Sequence, residues 1–278
     1  MEIKTAFRGV RWGEKALVCF CVSILSGVIV SLQYDPAAPF YSVSAIDTLI
    51  PFGSFFRALH FYSSQLFFLL SLLHLLAYLI NDEPSMQAGK WTMLIASVPV
   101  SVLLLFTGYI LRADATGESA GFIAENIALS VPIVGKWLNA ALFSISAEGM
   151  KRVYANHLIG LGVLWVVLCR DHVRRFRVNW IGQGWLVSGI LLFSLFFPAP
   201  MEVGKPGLLH IPGPWFFLGL QELLRYVPPF WAGIIFPISF FIALCLVRFD
   251  AALRKRALIY SGIWVVCYTV LTCVGAFR

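Results

Sequence analysis

Apolar residues run along this chain in stretches of about twenty, broken by short polar or proline-containing links, the rhythm of helices that cross a membrane. Seven stretches follow it: 16–33, 57–79, 91–111, 154–171, 181–198, 229–248 and 257–276. A helix rises about 1.5 Å per residue, so each comes near the thickness of a hydrocarbon core of about 30 Å. The pattern predicts an all-α integral membrane protein with seven transmembrane helices. Two links break the rhythm. The segment from Arg112 to Arg152 is long and moderately polar, and its central Val131–Phe143 is too short to cross, so it predicts helices lying at the interface. The second, Pro198 to Pro229, carries an amphipathic WFFLGLQELLRY stretch between prolines. No repeat, low-complexity tract or appended soluble domain is read, so any soluble partner is expected on a separate chain.

Composition agrees. The 278 residues are 59% hydrophobic and 13% charged, with a mean hydropathy of +0.83, whereas a soluble domain carries about twice that share of charge. The net charge of +7 is therefore no nucleic-acid footprint. Its basic residues gather between spans: Lys4, Arg8, Arg11 and Lys15 before the first; Arg170, Arg174, Arg175 and Arg177 after the fourth; Arg248, Arg254, Lys255 and Arg256 between the last two. With seven spans these clusters share a side, which the positive-inside rule makes the cytoplasm. The N-terminus is then cytoplasmic, the C-terminus periplasmic, and both irregular links face outward. No cleavable signal or organelle import leader is read, so a bacterial or archaeal plasma membrane is expected. Cys19, Cys21, Cys169, Cys245, Cys267 and Cys273 form neither a CxxCH motif nor a zinc-type spacing and read as small buried hydrophobes.

Candidate chemistry lies in the histidines. An ionisable side chain inside a span is expensive and marks function by default, although a lone histidine is more often hydrogen-bonded in the bundle. Here four of five fall into two pairs: His60 and His74, 14 apart on the second span, and His157 and His172, 15 apart on the fourth. At about 100° per residue, 14 steps return within about 40° of the starting face and 15 overshoot by about 60°. The rise separates the members of each pair by about 21–22 Å, leaving one histidine near each membrane surface. Imidazole is a standard axial ligand of haem iron. The second and fourth spans run in the same direction, so His60 pairs with His157 at an outer haem and His74 with His172 at an inner one. A zinc site would want ligands a few residues apart, and a proton relay needs no matched pairs. Gly13 and Gly27, also 14 apart, would let a macrocycle approach the first helix. Arg57 and Arg152 precede the outer histidines and would neutralise propionates, or else are ordinary interfacial arginines.

These residues resemble the cytochrome b family of quinol-oxidising bc and b6f complexes. The resemblance is carried by FRALH (Phe56–His60) with His74, TGY (Thr107–Tyr109), VPIVG (Val131–Gly135), RVYANH (Arg152–His157) with His172, and PGPWFFLGLQELLRY (Pro212–Tyr226), similar to the family's PEWY segment. The 14-then-15 spacing is similar to the b6 type. The resemblance implies a dihaem four-helix bundle, residues 1–178, joined to three C-terminal helices, 179–278, that contribute to an outer quinol site. It implies two haem b groups and a quinone substrate. A quinol would be oxidised between the Gly108–Asp114 turn, the VPIVG segment and the Trp215 segment, and electrons would leave at an inner quinone site. Arg177 falls where the b6 type has an arginine near that inner site, where it would attract a developing anion or a propionate; otherwise it is a positive-inside residue.

The chain departs from the family pattern at three places. Pro214 stands where PEWY has a glutamate thought to accept a quinol proton, and proline cannot do acid–base work. Glu222 is the nearest substitute, on the face of Trp215 if the stretch is helical, with Asp114, Glu118, Glu125 and His210 in the outward segments. Arg11 stands where b6f carries the cysteine of a covalent extra haem, so none is expected. The TGYILRADATG turn lacks the family's Pro-Trp, a departure at the surface where a Rieske protein would dock. The expectation is a dihaem cytochrome b subunit of a prokaryotic quinol–acceptor oxidoreductase, with menaquinone as the quinone. Its partners would be a c-type, even multihaem, cytochrome or an iron–sulfur subunit, or both, with membrane lipid around it and room for a homodimer within the complex. The competing reading is a haem b anchor of a periplasmic dehydrogenase or reductase that exchanges electrons with quinone at one site, without bifurcation. A haem-free transporter or assembly factor leaves the paired histidines unexplained.

Overall fold

The structure, a computed structural model, describes residues 7, 9–80, 86–202 and 211–278. The described residues contain helices and no strand. Five helices are long and apolar enough to cross a membrane: α1 Trp12–Ser31, α3 Gly53–Leu79, α4 Ala88–Arg112, the continuous stretch Ala147–Val173 (its last part, Leu161–Val173, is α8) and α12 Ala251–Ala276. Two shorter apolar helices, α9 Gly184–Phe196 and Trp231–Leu246, stand at the expected fifth and sixth spans. The seven apolar runs are thus seven apolar helices of an all-α membrane protein. Two links are richer in structure than the apolar pattern suggested. A helix that no periodicity marked, α2 Pro39–Thr48, follows α1. The Arg112–Arg152 segment is almost wholly helical, with α5 Ala115–Leu129, α6 Gly135–Leu142 and α7 Ala147–Ala155, so the fourth span begins seven residues before the predicted position 154.

Three helix starts follow from capping chemistry. Asp114, Ser146 and Asp250 each present a side-chain oxygen to an orphan backbone N–H of α5, α7 and α12, those of Gly117, Gly149 and Leu253. Glu118 and Glu148 in the first turns of α5 and α7 favour the positive end of the helix dipole. Buried hydroxyls inside the spans bond carbonyls of their own helix, as Ser26 does to Val22 O (2.7 Å) and Ser63 to Leu59 O (2.5 Å), which is how a membrane helix satisfies polar groups with no water at hand. Large apolar residues such as Leu25, Val28, Val163, Val167, Ile263 and Val266 are exposed, as expected of faces whose solvent is lipid.

The chain divides into two compact units. The first comprises the described residues of Met1–Glu83 and Arg170–Met201. In it α1 packs along α3, with α2 and α9 against α3. The second comprises those of Pro84–Cys169 and Glu202–Arg278. There α4 packs on α5 and on α11 Phe236–Leu246, and the short α10 Leu218–Leu223 packs on α12.

Candidate functional site

Within the first unit, two histidines of α3 meet two glycines of α1. A Cβ on Gly27 would stand 2.8 Å from His60 Cε1 and Nδ1, and one on Gly13 would stand 3.1 Å from His74 Cε1. Each glycine leaves its histidine a space that a side chain would fill. His60 Nδ1 lies 2.8 Å from Ser23 O. A carbonyl can only accept, so Nδ1 carries the proton and Nε2 carries the lone pair. His74 and His172 have ring centroids 5.8 Å apart at 46°, and Phe176 packs on His172 at 5.4 Å. With metal–imidazole bonds of about 2 Å, rings at that separation leave room for one iron atom between them. The link after His172 is fastened by Glu14, which is buried and accepts from Asn179 N at 2.7 Å.

Within the second unit, His157 stands against α4. A Cβ on Gly108 would lie 3.2 Å from His157 Cε1, and Thr107 Oγ1 is 2.9 Å from His157 Nδ1. The Thr107 hydroxyl donates to Leu103 O at 2.8 Å, so its oxygen is the acceptor for Nδ1–H. His157 is therefore held in the same tautomer as His60, with the lone pair on Nε2, where a metal ligand needs it. Ser23, Thr107 and Gly108 are contacts of these histidines that the sequence pattern did not single out; only the TGY motif pointed near the last two.

A haem fits these residues. Three histidines each abut a glycine, two have the proton fixed on Nδ1 by a partner of their own unit, and two lie at metal-bridging separation. Among the described residues no three His, Cys, Asp or Glu converge as a metal-ligand set, so imidazoles used in pairs need their remaining donors from a macrocycle.

Arg57 is buried in the first unit, gripping both Asp47 carboxylate oxygens through Nε (2.6 Å) and Nη2 (2.5 Å) and donating to Ala199 O at 2.6 Å. Asp47, unremarked in the sequence, thus supplies its counter-charge. Arg152 is exposed and donates to Ala140 O at 2.6 Å, and Arg177 is exposed. Asp114 is buried, ion-paired with Arg112 and accepting from Gly117 N and Glu202 N at 2.9 Å each. Glu222 is 2% exposed, and its carboxylate takes Tyr226 Oη and Arg278 Nη1 at 3.0 Å each. Trp215 and Glu222 do not share a helical face. Regular helix starts only at Leu218, because Pro214 O is taken by a tight turn to Phe217 N, and Trp215 remains 42% exposed. Glu118 is exposed, Glu125 accepts from Ile145 N at 3.1 Å, and His210 lies outside the described residues.

The family model described as cytochrome b/b6/petB matches residues 5–177. The cytochrome b6 of Heliomicrobium gestii is 30% identical over 177 residues, covering 62% of this chain and 83% of the relative. The cytochrome b of Solanum tuberosum is 22% identical over 298 residues, covering 91% of this chain and 75% of its own. Among solved structures, a chain of a hyperthermophilic respiratory complex III superposes with a TM-score of 0.69 at 21% identity, covering 95% of this chain and 83% of that one.

Proposed function

The chain belongs to the cytochrome b/b6 family, a haem b-binding, multi-pass subunit of a quinol oxidoreductase, and on that premise we propose that it is the dihaem subunit that moves electrons across the bilayer between quinone sites and a periplasmic redox partner. The observation that carries the reading is the glycine beside each of His60, His74 and His157, which leaves room for the imidazole where a side chain would push it aside. His60 with His157 would hold the outer haem and His74 with His172 the inner one. Haem b, when bound, supplies a one-electron carrier at each level. Ser23 O and Thr107 Oγ1 keep the ligand nitrogens oriented, and Gly13, Gly27 and Gly108 admit the ring. Arg57 and Arg152 would balance propionate charge, Arg57 sharing its guanidinium with Asp47, and Arg177 would attract negative charge at the inner quinone site. Residues 1–178 form the haem-holding part and 179–278 complete the outer quinol site.

Three groups remain as quinol proton acceptors: Glu222, Asp114 and His210. Glu222 is favoured, since Asp114 holds Arg112 and two backbone amides at a helix corner. Menaquinone suits a site without the PEWY glutamate. A c-type cytochrome or an iron–sulfur subunit would take the outgoing electron on the periplasmic side, with the N-terminus cytoplasmic and the C-terminus periplasmic. One observation favours the competing one-site anchor without bifurcation: Pro214 occupies the acid's position, and Glu222 is already engaged by Arg278 and Tyr226.

The haem reading is tested spectroscopically. A dithionite-reduced minus oxidised spectrum is expected to show a b-type alpha band, with about two haems per chain by pyridine haemochrome. His74→Ala is expected to lose the inner haem and keep the outer one. An absent band sinks the haem reading, and two haems in His74→Ala sink the pairing.

A further inference from the structure

His60 and His74 are 14 apart on the unbroken α-helix Gly53–Leu79, whereas His157 and His172 are 15 apart. On regular α-helices these counts differ by one residue and so by about 100° of rotation, enough to turn one histidine off its partner's face. The second helix is not regular. α-Helix Ala147–Ala155 leads into a π turn, Asn156–Gly160, closed by Leu161 N donating to Asn156 O, and α-helix resumes over Leu161–Val173. An i→i+5 bond encloses one residue more than an i→i+4 bond, so the turn takes in the extra residue without passing its ~100° to the helix beyond.

We propose that the π turn at Asn156–Gly160 is a register device for the haem ligands. It removes the fifteenth residue from the helical count, so that His157 and His172 subtend on their helix the same rotation and rise as His60 and His74 on theirs. Each ligand helix then spaces its two histidines alike, as two stacked macrocycles require. The turn is built into its surroundings. Asn156 Nδ2 donates to Ala141 O at 2.6 Å, a Cβ on Gly160 would meet Asn156 Oδ1 at 2.5 Å, and His157 within the turn is held by Thr107. Another π turn, Trp231–Ile235, contains no histidine; Asn156–Gly160 differs from it in coinciding with the 15-residue histidine spacing. The proposal rests on the reading of His157 and His172 as axial ligands.

Deletions in the full-length chain in its membrane test it. Deleting Ile159, which is 60% exposed, or Leu158, 41% exposed, is expected to straighten the turn into α-helix and leave about two haems per chain by pyridine haemochrome. Deleting Leu69, 40% exposed on the helix that has no such turn, is expected to cost at least one haem, because His74 is rotated off its face. If neither turn deletion keeps its haems, or neither chain accumulates in the membrane, the proposal is overturned; it is equally overturned if the Leu69 deletion is tolerated. His157→Ala and His172→Ala separate the premise from the inference. Full haem content in these variants sinks the ligand reading itself, whereas haem loss in them together with haem loss in the turn deletions sinks only the register device.

Discussion

The Thr107 hydroxyl gives its hydrogen to Leu103 O and accepts from His157 Nδ1–H, so one buried oxygen both stays satisfied in its own helix and fixes the His157 tautomer. Valine would keep the shape and lose the acceptor. Thr107→Val is expected to weaken haem retention at the His157 site about 10–100-fold, the usual cost of losing a partner that orients a metal-binding histidine. Thr107→Ser is expected to restore it. Haem content after detergent washing checks both, and a Val variant that holds haem like the parent removes Thr107 from the site. At this scale the sequence is uneven. His60, His74, His157, His172, Gly13 and Gly27 were legible because each pair repeats along a helix, and helical arithmetic needs nothing else. Ser23, Thr107, Gly108 and Asp47 were not, because each acts on a residue of a different helix, and only tertiary packing makes that partnership.

At the scale of elements, the corner between α4 and α5 joins local strain to a buried charge pair. Ala113 has φ +47°, a left-handed conformation costly for a residue with a Cβ. It is flanked by Arg112 and Asp114, whose side chains pair with each other while Asp114 also caps α5. Asp114→Ala would leave the Arg112 charge buried without its carboxylate and the Gly117 amide uncapped. Breaking such a pair costs about 3–5 kcal/mol, so a clear loss of thermal stability of the purified protein is expected, with Asp114→Asn milder. Should Asp114→Ala stop quinol oxidation with its melting unchanged, Asp114 would be a chemical group and not a corner post. The elements were legible where apolar runs are long, since seven runs gave seven apolar helices. Boundaries and short helices were not. Pro39–Thr48 is too short to establish a period, and the fourth span begins at a Ser146 cap inside what reads as polar link.

For the whole molecule, the question is whether the quinol site bifurcates electrons, and Glu222 is where the second unit bears on it. Glu222 lies on α10, packed against α12, and its carboxylate meets Arg278 two residues beyond that helix's end. That is the position of a structural clamp, and also of a carboxylate kept from water, as an acid–base group at a quinol site would be. Glu222→Gln separates the roles because it keeps the volume and an oxygen for Tyr226 while removing the charge. As the proton acceptor, Glu222→Gln is expected to slow quinol oxidation at least tenfold with haem content intact. As a clamp, it is expected to lower stability and leave turnover per intact protein unchanged. A bifurcating enzyme is further expected to show extra haem reduction by quinol when an inhibitor blocks the inner quinone site, since electrons sent inward then have no exit. With Pro214 in the place of the family's acid, loss of that extra reduction in Glu222→Gln would tie bifurcation to this carboxylate. Absence of extra reduction in the parent protein would favour the one-site anchor, a chain that keeps the family's haem scaffold and has given up one of its two quinone reactions.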